Sequence, residues 1–209
     1  MDSQANSDSR LSFPFSKGIF FRLIPFLLLS LLSVCAPSEQ SNLGVQDYEG
    51  ISLEGETVRI SQIQADRVAL NVYGPNCLPC IKEIPVLNYL NAELKKTPQI
   101  KLYMIVDPDI FFDNPEAMDP EEKMKQASIL MKEEVKKFGI QLPVLIMKAP
   151  FKVDRAEGLV TGTPETLLFK TKPLILYYNF IGPISEESDP NKIPKNMKVI
   201  FFKRMAGQS

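Results

Sequence analysis

The chain has no histidine, no tryptophan and only three cysteines in 209 residues. Without histidine it lacks the commonest general base and the commonest metal ligand, so neither a Ser-His-Asp nor a Cys-His nucleophile can be assembled from this chain alone. Three cysteines are too few for a scaffold stapled by disulfides. Charge bias is also missing: 24 Lys and Arg face 25 Asp and Glu, a net charge of −1. With no basic stripe interleaved with aromatics, nucleic acid is excluded as an expected partner. What is present is a 44% hydrophobic composition, ordinary for a globular chain, and a length that suits one domain plus an appendage.

The appendage is at the N-terminus. Residues 1–16 are polar and Ser-rich, and Lys17 and Arg22 then precede an apolar run from Leu23 to Cys35. A charged stretch followed by an apolar run of this length reads as an export signal. It falls short of the roughly 20 apolar residues of a membrane-spanning helix. After Cys35 the chain turns polar at once (Ala36 to Asn42), so residues 36–47 are expected to form a flexible tether. Leu32-Ser33-Val34-Cys35 resembles a bacterial lipobox, with Val34 where Gly, Ala or Ser is usual. That resemblance implies lipidation at Cys35; an uncleaved signal anchor and plain secretion are the alternatives. Each version places the remainder, residues 48–209, outside the cytoplasm, where disulfide chemistry is expected. Removing residues 1–34 takes three cations and two anions with it, leaving a net charge of −2.

The remainder reads as alternating elements. Ile51 to Leu53 and Thr57 to Ile60 flank a turn at Glu54-Gly55-Glu56, the pattern of a short hairpin. The apolar runs Arg67 to Tyr73 and Ile100 to Val106 suit buried strands, and residues 142–147 form a further short apolar segment. Ile81, Ile84, Leu87, Leu90 and Leu94 recur at helical spacing and predict a helix over 78–95; a second is predicted from Glu121 to Phe138, stopped by Gly139. Asp107 to Asp119, rich in Pro and Asp, reads as a loop insertion. Residues 167–169 and 174–178 read as a hairpin. Strand-helix-strand alternation predicts an α/β sheet with helices on its faces, and the crossover between the two buried strands should leave them parallel.

Two cysteines, Cys77 and Cys80, sit between the first buried strand and the first helix. A helix N-terminus carries partial positive charge and unpaired N–H groups, so a thiolate there is stabilised. Cys77, at the cap, is the candidate nucleophile. Cys80, on the same helical face, is placed to attack a mixed disulfide formed at Cys77. Pro79 suits the first helical turn. A zinc site would need about two more Cys or His ligands, which this part of the chain does not offer. A two-thiol metal-carrier site and a purely structural disulfide stay open at this point. Further on, Thr163-Pro164 precedes an apolar strand and is a candidate cis peptide, the alternative being a trans turn proline.

Three motifs in this order carry a family resemblance: the hairpin at 51–63, Cys77-Leu78-Pro79-Cys80-Ile81-Lys82-Glu83-Ile84-Pro85, and Val160-Thr161-Gly162-Thr163-Pro164-Glu165-Thr166, with a closing Gly182-Pro183. From about Ile51 to Gly182 the chain resembles the extracytoplasmic TlpA/ResA-like thioredoxin-fold proteins, whose CxxCxxExP pattern it meets at each position. The resemblance implies a thioredoxin-like α/β fold: a central mixed sheet flanked by helices, with an N-terminal β-hairpin. It implies a redox-active Cys77–Cys80 disulfide, with Cys77 attacking, Cys80 resolving and Glu83 as the active-site acid. Pro164 would be the cis-proline, Thr163 its substrate-pairing neighbour, and Pro85 a kink in the active-site helix. No cofactor or metal is implied. The implied activity is extracytoplasmic thiol-disulfide exchange that reduces protein disulfides, as in cytochrome c maturation. Such a protein acts on protein disulfide or dithiol substrates, draws electrons from a membrane thiol donor, and sits in the cell envelope on a lipid anchor. A disulfide oxidant or isomerase and a redox-silent binding module are the other readings. Two departures favour the last: Asn76 stands where the family usually has an aromatic residue before the first cysteine, which should alter substrate contact there, and the tail is unusual. Asp189 to Pro194 breaks any long final helix, and Val199 to Arg204 reads as a strand or docking segment.

Overall fold

The computed structural model describes residues 46–156 and 158–208. The expected export signal, lipidation at Cys35 and most of the tether lie outside these residues. Near the start of the described residues, the Asp47 carboxylate accepts from the Ser61 N–H at 3.0 Å and the Ser61 hydroxyl at 2.6 Å. No described helix is long and apolar enough to cross a membrane.

The described residues form seven strands and three α-helices: β1 Glu49–Ser52, β2 Thr57–Arg59, β3 Arg67–Tyr73, α1 Leu78–Leu94, β4 Ile100–Val106, α2 Pro120–Phe138, β5 Val144–Met147, β6 Glu165–Thr171, β7 Leu174–Ile181 and α3 Met197–Ala206. They form one sheet in the order β2-β1-β5-β4-β3-β6-β7. β3 pairs with β4, and β4 with β5, in parallel; every other pairing is antiparallel. The sheet is therefore mixed. Its centre, β3, is buried on both faces, which is why its sequence reads as a continuous apolar run interrupted only by Asn71.

All three α-helices close one face. Ile84, Leu87 and Leu90 of α1, Ala127 and Met131 of α2, and Val199 and Phe202 of α3 share a cluster with Ala69, Met104 and Leu168 of the sheet. The other face is closed by the short 3-10 turn Ile60–Gln62 and by the irregular segment carrying Phe151 and Val160, which pack on Val68, Leu70 and Phe169.

The helix ends follow from local chemistry. The Asp119 side chain accepts from the N–H groups of Glu121 and Glu122, Pro120 opens α2, and Gly139 closes it at φ 62°. The hairpin β1–β2 turns through Gly55 at φ 94°, with the Ser52 hydroxyl accepting from Glu54 and Glu56. Residues 142–147 contain β5, inserted between β1 and β4. The insertion after β4 is compact: it makes 3-10 turns at Pro108–Phe111 and Pro115–Ala117.

The tail corrects the sequence reading. Residues 199–204, expected as a strand or docking segment, lie within helix α3. Asn196 caps it by accepting from Lys198 and Val199, and Gly207 ends it at φ 92°. Its Val199, Phe202 and Ala206 fall on one buried face. Phe201 and Phe202 stack edge-on or tilted against Tyr178 and Phe180 of β7, with ring centres 5.5 to 5.7 Å apart. That aromatic packing outweighs the β-propensity of Val-Ile-Phe-Phe. Pro194 confines the preceding turn to residues 193–195, so the final helix is short but complete.

Candidate functional site

β3 ends at Tyr73 and α1 begins at Leu78, so Gly74 to Cys77 form the tight link between them. Cys77 is the N-cap of α1, and its sulfur is bonded to that of Cys80 with the two Cα atoms 5.2 Å apart. The Cys80 backbone N–H points at the Cys77 Sγ at 3.2 Å. That donor, together with the helix N-terminus, would hold negative charge on Cys77 once the disulfide opens. Cys77 is half-buried, whereas Cys80 is 1% exposed. An incoming disulfide therefore reaches Cys77 and not Cys80. Pro85 lies inside α1, where it lacks the N–H that would bond the Ile81 carbonyl, yet the helix runs on to Leu94.

Behind the cysteines, one turn along α1, Glu83 is completely buried. Its Oε1 accepts from the Ile184 N–H at 2.5 Å and its Oε2 from the Asn71 amide at 3.2 Å. The same Asn71 amide donates to the Thr166 hydroxyl at 2.9 Å. Burial pushes the Glu83 pKa up to about 7, against the two hydrogen bonds that favour its charged form. A carboxyl group in this state exchanges a proton near neutral pH, which suits a general acid or base.

The loop before β6 forms the opposite wall. The Thr163-Pro164 peptide is cis, as are Ala149-Pro150 and Lys172-Pro173. The Thr163 carbonyl oxygen lies 3.5 Å from the Cys77 Sγ. In the disulfide this is a contact only; an S–H donor exists there only after reduction. Among the described residues no backbone–backbone hydrogen bond uses the Thr163 N–H or carbonyl, so both remain available to an extended chain. The loop is held from below by Glu165, which is 1% exposed. It accepts from the Thr161 N–H at 3.0 Å, the Thr161 hydroxyl at 2.5 Å and the Asn179 amide at 2.9 Å. Gly74 lets the loop come this close, since a Cβ there would stand 2.9 Å from the Thr163 Oγ1.

Asn76 is exposed and adopts φ 58°, the only positive φ among the described non-glycine residues. Asparagine tolerates this left-handed backbone better than most residues with a Cβ. Asn76 borders a cleft of about 320 Å3 that is also lined by the insertion after β4 and by Leu130, Glu133 and Glu134 of α2. The structure thus gathers Asn76, Cys77, Cys80, Glu83, Thr163 and Pro164 around one end of β3 and the start of α1. Sequence reasoning missed Gly74, Glu165, and the Asn71 and Thr166 partners that tie Glu83 into the sheet. One signal was available for the last: Asn71 is a polar residue in the middle of a strand with no exposed face. A cavity of about 940 Å3 lies between α2 and the β1–β2 hairpin, and none of the reactive residues lines it.

No protein-family model matches the chain. Among curated proteins it is similar to the thiol-disulfide oxidoreductase ResA of Bacillus thuringiensis (strain Al Hakam), with 27% identity over 139 residues, 62% of this chain and 70% of that protein. ResA of Bacillus anthracis matches to the same extent. Among solved structures, StoA from Bacillus subtilis superposes with a TM-score of 0.49 at 17% identity, covering 68% of this chain and 93% of that one.

Proposed function

We infer that this chain, a thioredoxin-fold thiol-disulfide oxidoreductase of the TlpA/ResA-like family, reduces protein disulfides outside the cytoplasm through Cys77 and Cys80. The observation that carries the site assignment is the polarity of the pair: an accessible sulfur at the helix cap, facing a backbone N–H, with its buried partner one helical turn from a buried carboxyl group.

In the reduced protein the Cys77 thiolate attacks one sulfur of a substrate disulfide. An S–S bond forms between Cys77 and the substrate, and the other substrate sulfur leaves as a thiolate. Cys80 then loses its proton to Glu83 and attacks the Cys77 sulfur, closing the Cys77–Cys80 disulfide and releasing the second substrate thiolate. Two electrons pass to the substrate, whose two thiolates take up protons, one of them returned by Glu83. The free N–H and carbonyl of Thr163 pair with the substrate backbone while Cys77 is joined to it. A second dithiol must then reduce Cys77–Cys80, and a membrane-bound thiol donor fits that role.

An envelope location rests on the sequence of residues 17–35, with Cys35 as the lipid attachment point and residues 36–47 as the tether. The reducing direction, in a role like that of cytochrome c maturation, rests on the family resemblance. Insulin reduction by dithiothreitol tests the activity. Wild type should accelerate it and Cys77→Ser should not, while Cys80→Ser should accumulate a mixed disulfide at Cys77. Equal inactivity of wild type and Cys77→Ser would turn the reading to a redox-silent binding module. A potential near about −270 mV fits a reductant, and one near about −120 mV an oxidant.

A further inference from the structure

Any substrate joined to Cys77 must lie over Asn76 and Pro75, the residues immediately before it. Those two residues line the 320 Å3 cleft together with Phe111, Phe112 and Glu133. The aromatic lining is pre-formed. Phe111 and Phe112 pack on the helical core cluster with their rings tilted and 6.4 Å apart. The insertion that carries them is pinned by the ion pair of Asp109 with Lys123 at 2.5 Å. It is also pinned by Asp107, which accepts from the N–H groups of Asp109 and Val153.

The cleft's lining includes half-buried Phe111 and Phe112, and its charged groups are all anionic. Asp113, Glu133 and Glu134 line it, and no Lys or Arg does. Glu134 is already engaged: it accepts from the Tyr73 hydroxyl at 2.6 Å and lies 3.9 Å from the Lys137 ammonium. Asp113 and Glu133 are exposed and make no ion pair among the described residues. A Lys or Arg side chain matches this surface, its stem against the rings and its charge drawn by the unpaired carboxylates of Asp113 and Glu133.

We propose that this cleft sets substrate specificity by taking a Lys or Arg side chain located one or two residues from the substrate cysteine that Cys77 attacks. Thr163 holds the substrate backbone without regard to sequence, so discrimination has to come from side-chain contacts such as these. The proposal rests on the thiol-disulfide exchange described above.

The test uses the reduced protein and three homodimeric peptide disulfides. They differ only in carrying Lys, Ser or Glu at both positions two residues from the cysteine. Protein oxidation is followed by acid quench and thiol alkylation. A lysine also acidifies the peptide thiol and speeds its departure, so the quantity to compare is the Lys-over-Glu rate ratio in wild type and in Asp113→Asn/Glu133→Gln. At low salt the wild-type ratio should exceed that of the double variant by about tenfold, the scale of local charge steering. The difference should collapse in about 0.5 M sodium chloride, where the screening length is about 4 Å. Equal ratios in wild type and double variant, with all three peptides reduced, would overturn the cleft assignment and leave the exchange activity standing. If wild type reduces none of the peptides, the exchange reading fails and the specificity proposal fails with it.

Discussion

Glu83 should make the stability of the oxidised protein depend on pH in a way that one substitution can isolate. It is fully buried, and its pKa rises from 4.5 to about 7, with burial as the main cause. The folded state therefore holds this proton more tightly than the unfolded chain. Below the unfolded value both states are protonated and the full contribution is present. It is lost as pH rises, and the loss is complete once pH exceeds about 7. A shift of that size corresponds to roughly 3 kcal/mol. Glu83→Gln is neutral at every pH, so it escapes this loss. It also gives up one acceptor, since its amide nitrogen must face either the Ile184 N–H or the Asn71 amide. That costs about 1–2 kcal/mol throughout. The variant should be less stable than wild type by about 1 kcal/mol or less at pH 5, where the unfolded chain's Glu83 is already largely ionised and roughly 0.8 kcal/mol of the wild-type contribution is gone, and should match or exceed it at pH 8. The check is urea unfolding of both proteins in the disulfide form across this range, extrapolated linearly to water. Asp107, whose pKa burial also raises, contributes equally to both proteins and cancels in the difference. A wild-type-minus-variant difference that stays constant from pH 5 to 8 would refute the assignment of a protonated, buried Glu83.

Two further substitutions test the front of the site. Asn76 sits at φ 58°, so Asn76→Val should lose about 1–2 kcal/mol in urea unfolding while Asn76→Gly stays within a few tenths; equal stabilities would mean that the left-handed backbone does not select the residue. In Gly74→Ala the new Cβ would press on Thr163 from 2.9 Å. The displaced loop should slow insulin reduction by about ten- to a hundredfold, the scale of misplacing a substrate-positioning group. Adding Thr163→Ala removes the obstructing atoms and should recover most of the rate, and a Gly74→Ala protein with wild-type activity would dismiss the close approach as irrelevant.

Much of the framework was legible because burial and period agree. β3 and β4 read as unbroken apolar runs because a strand in the parallel centre of a sheet is covered on both faces. α1 showed itself through Ile84, Leu87, Leu90 and Leu94, which all end in the core. Cys77, Cys80 and the Thr163-Pro164 peptide stood out because the strands and helix beside them are legible, whereas Glu83 entered through the family resemblance, since position alone does not show burial. α3 was read wrongly because its identity depends on a partner: Phe201 and Phe202 are strand-like residues until the rings of Tyr178 and Phe180 are beside them. The clamp of Glu165 on Thr161 and Asn179 joins a loop to an edge strand, and no local pattern announces it. The cis peptides at Ala149-Pro150 and Lys172-Pro173 were likewise invisible, since the surrounding fold sets the isomer.

The position before Cys77 shows why a motif departure is best judged in space. In sequence, Asn76 and the insertion after β4 are separate irregularities, one in the cysteine motif and one about thirty residues later. In the fold Asn76, Phe111 and Phe112 line one cleft. Aromatic surface is therefore still present in the cleft that Asn76 borders, but it is carried by the insertion and not by the residue that precedes the cysteine. The left-handed turn at Asn76 is part of the same arrangement. An aromatic side chain there would take on the backbone strain of φ 58° and would compete for space with the Phe111–Phe112 wall. Asparagine avoids both and keeps the approach to Cys77 open. The change is from a flat apolar contact at the motif to a walled, anionic cleft beside it, which alters which substrates dock without altering the sulfur chemistry. Substituting Phe or Trp at Asn76 alone should therefore fail to restore the usual family surface. It would place a second aromatic group against the first in a strained backbone, and the expected result is lower stability and slower, not faster, insulin reduction.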